Sequence, residues 1–219
     1  MNVLLVLVGA TLVKITADGT YLRYVKPASA PLVLAAGIVI IALAGAGIAR
    51  ALTHPGGHPD SRWGWLLALP VLTIYLIAPA ALGADTVLRD AHAARIAPPT
   101  ATFPPLPSGT VPMAVGDFIT RAVWDPSHAL DTRTVALTGF VVHAGRADYV
   151  ARLVITCCAA DATPMTVALT SHLDLPNNQW IRITGRLRSG SATPADGYTP
   201  TLRVIGVHTV APPADPYEH

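Results

Sequence analysis

The sequence predicts a two-part protein: an α-helical membrane anchor followed by an all-β domain. Three observations carry this. Hydrophobic residues make up 52% of the 219 positions and charged residues only 13%, a balance too apolar for an ordinary soluble domain. The apolar, charge-free stretches crowd before position 84. After Thr134 the pattern changes to short runs rich in β-branched residues with a period near two.

The anchor reads as about three helices within residues 1–90, over about 2–16, 30–52 and 63–83. The first, NVLLVLVGATLVKI, reaches only about 21 Å at ~1.5 Å per residue, short of a hydrocarbon core of roughly 30 Å. No basic stretch precedes it and no small-x-small cleavage site follows, so a signal peptide is disfavoured. A start assigned slightly downstream of the true one would account for the missing charges and length. The second segment is uncharged from Ala30 to Ala49, before Arg50, and is the clearest span. Its Gly37, Ala44, Gly45 and Gly47 would let another helix approach closely. The third opens on Trp63 and Trp65 and carries Pro70 and Pro79, kinks that membranes tolerate when neighbours satisfy the freed carbonyls. Tyr21, Tyr24, Lys26 and Arg62 are placed as interfacial anchors.

Residues 91–112 read as a linker, with six prolines between Ala97 and Pro112. Such density favours extended polyproline II and a semi-rigid spacer. A β domain is expected over 113–210 and a tail over 211–219. Strands are expected at Thr134–His143, Tyr149–Cys158, Met165–Thr170, Trp180–Leu187 and Thr201–Val210, after a short helix at DFITRAVW capped by Asp117. Gly139 and Gly185 inside strands mark bends. Five strands joined by turns predict a small barrel of the OB type.

The net charge of +2 and the lack of any Lys/Arg cluster exclude a nucleic-acid partner. Two cysteines cannot build a disulfide framework. No Ser-His-Asp arrangement, phosphate loop or spaced carboxylate pair is visible, so no enzyme activity is expected.

The segments LTGFV, ARLVITCCAADATP and QWIRITGRL resemble the C-terminal domain of the YcgQ-like family of bacterial permease subunits. The N-terminal half is similar too, through YVKP, the loop HPGGHPDSRW and a third helix ending LGA. The resemblance implies a non-enzymatic integral membrane protein, a subunit or accessory factor of a permease, with a polytopic permease subunit as partner. It also implies a link to metal homeostasis, with zinc as the ion. The loop departs from the pattern in holding only His54 and His58, which weakens a metal role there.

Cys157 and Cys158 carry three open readings: a structural role, metal binding and redox chemistry. On a regular strand Cys157 would enter the core beside Leu153 and Ile155, and Cys158 would face the other way. Were the strand to end or bulge there, Cys157, Cys158 and Asp161 could converge on zinc or copper. The fourth ligand would then come from His128, His143, His172 or His208. The alternative function is accordingly a thiol-based metal-binding or redox protein. Localisation is expected as multi-pass in the cell membrane. Counted literally, Lys14, Arg23, Lys26, Arg89 and Arg95 share the β domain's side against Arg50 and Arg62, which argues for the cytoplasm. The resemblance to secreted, lipid-anchored modules and the stiff spacer argue for the extracytoplasmic side, which is the expectation adopted.

Overall fold

A computed structural model of the chain describes residues 2–53, 73, 76, 80–89 and 102–219. They divide into two compact units, residues 1–81 and 82–219. Most of the expected third helix, and both loop histidines His54 and His58, lie outside the described residues.

In the first unit, α1 (Asn2–Ala17) and α2 (Ala30–Thr53) pack against one another. The contact is closest at glycine: a Cβ on Gly9 would stand 2.8 Å from the Gly37 carbonyl oxygen, and one on Gly37 3.0 Å from that of Gly9. Two backbones can approach so nearly only where neither carries a side chain. Of the small residues expected to receive a neighbour, Gly37 and Ala44 are buried, whereas Gly45 faces open space. Leu32, Ile38, Val39, Leu43 and Leu52 are exposed on α2. A helix apolar all round suits lipid rather than water. Pro27–Thr53 is long and apolar enough to cross a membrane, and α1 is shorter.

The second unit is built on a seven-stranded sheet. Its elements run α3 (Ala84–Arg89), β1 (Thr110–Met113), α4 (Val115–Trp124), β2 (Thr134–Ala144), β3 (Ala147–Val154), β4 (Thr163–Leu169), β5 (Trp180–Leu187), β6 (Thr201–Thr209) and β7 (Tyr217–Glu218). β2 pairs antiparallel with β5 over Thr134–Phe140 and with β3 over Phe140–Ala144. It changes partner beside Gly139, where a Cβ would meet the Ala151 carbonyl oxygen at 2.5 Å. The bend expected at Gly185 is a register shift in the β5–β6 ladder between Thr184 and Gly185. β3 pairs with β4, and β4 meets β6 in parallel over Ala168↔Thr201 and Leu169↔Leu202.

The core lies between α4 and the sheet. Val115, Phe118 and Ile119 of α4 bury against Val135, Leu137 and Val141 of β2, Val150, Val167, Ile181, Ile183 and Leu202. Alternation of Ile181, Ile183 and Gly185 inward with Arg182 and Arg186 outward makes β5 the strand that matches its expected span. The helix itself differs from expectation in its cap. Asp117 does not cap it. The Glu218 carboxylate accepts the Val115 and Gly116 amides, each at 2.9 Å, so the cap comes from the far end of the chain.

Both edges of the domain exceed the expected bounds. Thr110–Met113, expected mostly as spacer, pairs in parallel with β2 through the α4 crossover. Phe103 and Pro104 also belong to the packing, the former under Arg121 at 5.1 Å and the latter accepting its Nη2 at 2.8 Å. In the stretch expected as a tail, Tyr217 and Glu218 pair with Leu153 and Val154. Arg152 holds them, donating from Nη2 to the Tyr217 carbonyl at 2.9 Å.

Candidate functional site

β3 ends at Val154, before either cysteine. What stops it is Asp161, whose carboxylate turns back onto the amides that would otherwise continue the ladder. Oδ1 accepts Thr156 N–H at 2.9 Å, and Oδ2 accepts Cys157 N–H at 2.8 Å and Cys158 N–H at 3.4 Å. A short 3-10 turn, Ala159–Asp161, brings that side chain round. Strand alternation therefore fails here. Cys157, expected in the core with Leu153 and Ile155, is exposed, and Cys158 is half-buried. Leu153 and Ile155 are indeed buried, and the reversal begins after them.

The loop gathers three donors. Cys157 Sγ lies 3.6 Å from Cys158 Sγ. These two sulfurs and a carboxylate oxygen of Asp161 all lie within 4.8 Å of one another. Both cysteines are free thiols. The Asp161 carboxylate beside the Cys157 sulfur, and then the Cys158 sulfur, push the Cys157 thiol up to about 11. Reciprocally, the hydrogen bond from Cys157, followed by the Thr156 amide, lowers Asp161 to about 2. The protonated Cys157 thiol donates to Cys158 Sγ and lies beside the Asp161 carboxylate, with a proton held where a cation could sit.

The histidines considered as a fourth ligand do not join the thiols. His128 begins a 3-10 turn in a left-handed conformation, φ 52°. His208 is exposed on β6 opposite Arg182. His143 and His172 instead meet Asp148, a residue that the sequence reading missed. His143 Nδ1 is 2.8 Å from Asp148 Oδ1, and His172 Nδ1 is 2.9 Å from Oδ2. The signal for it was the hairpin. A two-residue connection at Gly145–Arg146, with Gly145 at φ 64°, sets His143 directly across from Asp148.

The Asp148 carboxylate also accepts Leu173 N–H at 2.6 Å. Burial, the largest influence on Asp148, pushes it up, but the Leu173 amide and His143 outweigh that and hold it below the usual carboxylate range. The Leu175 carbonyl, 2.6 Å from Nε2, and then Asp148 raise His143, because both ring nitrogens face acceptors.

Among the described residues these features define a class: an N-terminal helical unit with one helix apolar enough to span a membrane, and an all-β domain bearing two compact donor clusters. Residues 124–219 match the family described as the DUF1980 C-terminal domain. The match fits the resemblance read from the sequence and takes in β2 to β7 with both clusters. No curated protein and no solved structure matches the chain.

Proposed function

We propose that the protein is a non-enzymatic, multi-pass membrane subunit of a permease whose β domain binds zinc through Cys157, Cys158 and Asp161. The observation that carries the metal reading is the spacing of the two sulfurs. Tetrahedral zinc with bonds of about 2.3 Å to sulfur sets its thiolates roughly 3.8 Å apart. The sulfurs here stand at 3.6 Å before any adjustment. Asp161 Oδ1 accepts only one amide and keeps a lone pair for a cation. Three protein ligands leave a fourth position open, which suits an ion that is passed on rather than locked in.

The redox alternative has less support. Adjacent residues joined by a trans peptide have Cα atoms about 3.8 Å apart, below the roughly 4.4–6.8 Å that disulfides use. For the β domain we adopt the OB-type barrel: β2 pairs with both β3 and β5, and β4 with β6, so the pairings form a ring. The membrane-subunit reading rests on the resemblance and on the apolar outer surface of α2, and the extracytoplasmic reading on the resemblance and the proline-rich spacer.

The test is elemental analysis of the full chain purified in mild detergent. The expected result is stoichiometric zinc, reduced in both Cys158→Ser and Asp161→Ala, and a polytopic partner that co-purifies. A zinc content unchanged in both variants would refute the thiol site. Persistent absence of a partner would refute the subunit assignment.

A further inference from the structure

We propose that His143, Asp148 and His172 form a second metal site, independent of the thiols, for a borderline divalent cation such as zinc or nickel. Their donor atoms, two imidazole nitrogens and a carboxylate oxygen, all lie within 4.8 Å of one another. Imidazole with carboxylate is a donor set that suits zinc, nickel and copper(II).

The arrangement goes beyond a buried ion pair. Asp148 is 5% exposed, so its carboxylate needs polar partners, and the Leu173 amide and the His143 ring supply them. A second imidazole aimed at the same carboxylate is redundant for that purpose. Yet His172, whose side chain is 77% exposed, places Nδ1 2.9 Å from Asp148 Oδ2.

The supporting contacts have the form that metal-binding histidines use, in which the second ring nitrogen is fixed by a carbonyl or carboxylate. His143 Nε2 is held by the Leu175 carbonyl, leaving Nδ1 as the atom turned to the site. Leu173 N–H orients the carboxylate, and the His143 amide donates to Asn177 Oδ1 at 2.8 Å. The loop that carries His172 is thereby pinned to β2 and β3. Ligands at bonds of about 2.0–2.1 Å in a tetrahedron lie about 3.3 Å apart. The 2.8 Å separation at His143 is that of a proton shared between nitrogen and oxygen, and His172 stands at 2.9 Å as an ion-pair contact. Replacing that proton by an ion asks for an opening of about half an ångström, which rotation of the exposed His172 ring can provide.

The experiment uses the full chain in detergent, as the double variant Cys157→Ser/Cys158→Ser, titrated calorimetrically with zinc chloride and checked by elemental analysis. One zinc equivalent is expected to remain. Adding His172→Ala should weaken that binding at least tenfold, while His208→Ala on the same background should leave it unchanged. Cobalt(II) bound by the double variant should show a visible ligand-field spectrum without a thiolate charge-transfer band. His172 is exposed, so its loss should not unfold the domain, and an unchanged far-ultraviolet spectrum checks this. Zinc bound by the natural sequence but not by the double variant would overturn this site and leave the thiol site standing. Full natural stoichiometry in the double variant would refute the thiol site instead. Equal binding with and without His172 would overturn the assignment to this cluster.

Discussion

At the scale of single residues, accessibility and reactivity part company at Cys157. The thiol is exposed, yet Asp161, and after it Cys158, holds its pKa at about 11. A thiol at about 11 has roughly a hundredth of the thiolate of an ordinary cysteine near neutral pH, while the more basic thiolate regains about a factor of ten in nucleophilicity. Asp161→Asn should therefore speed alkylation of Cys157 severalfold, up to about tenfold, near neutral pH, read by mass spectrometry of the labelled peptide. No acceleration would show that the carboxylate does not govern the thiol. The His143–Asp148 pair gives a second expectation, for metal-free protein. His143 is raised in the folded state, so its contribution is complete below pH 6.5 and is lost as pH rises through the higher folded value. Asp148 is lowered, so its contribution is present above about pH 4 and is lost as pH falls further. The two overlap in mildly acidic solution. Denaturant unfolding should show the natural sequence losing stability relative to His143→Gln from neutral pH upward, and parallel profiles would refute the pairing.

At the scale of elements, distant residues complete what local sequence begins. Glu218 caps α4 and faces Arg152, whose Nε lies 3.6 Å from its Oε1. Glu218→Ala should cost about 1–3 kcal/mol, by loss of the cap and of the partner to a largely buried arginine. Chemical denaturation measures it, and a cost below a few tenths would mean that solvent replaces the carboxylate. In the helical unit, Gly37→Leu should destabilise the α1–α2 pair by about 1–3 kcal/mol, because the backbone of Gly9 cannot yield. Unfolding in a graded detergent mixture, followed by helical circular dichroism, checks this. The same logic explains what could be read from the sequence. β5 was legible because its alternation is clean from Trp180 to Leu187. β3 was over-extended to Cys158, since period two alone cannot report that Asp161 captures three amides. β1 and β7 are four and two residues long, too short to show a period. The capping of α4 was invisible because its cap lies about a hundred positions away. Cys157, Cys158 and Asp161 were found because they are local in sequence, and Asp148 was missed because its partners needed the hairpin register.

At the scale of the whole molecule, the ring of pairings in the β domain is unequal. β2–β5 and β5–β6 are ladders of seven or more residue pairs, while β4 meets β6 over only two. Beyond those pairs, Ala168 N–H donates to the Pro200 carbonyl and Thr170 N–H to that of Leu202. A cavity of about 570 Å³, lined by Tyr149, Ala168, Arg188, Asp196 and Thr201, lies beside this junction. The shortest ladder has the fewest bonds to break before solvent enters. Native-state hydrogen exchange should therefore find Ala168 and Thr170 less protected than Ile181 or Ile183. Equal protection across all these amides would mean that the ring opens only with global unfolding. The junction also bears on how the domain forms. The β2–β3 hairpin closes across two residues, so it can assemble within microseconds of its strands becoming available. Joining β4 to β6 must wait until the thirty-odd residues between them have folded back, a loop-closure cost that no local bond offsets. The two-pair contact is thus the last to form and the first to part, a latch where the domain can breathe while its core stays intact.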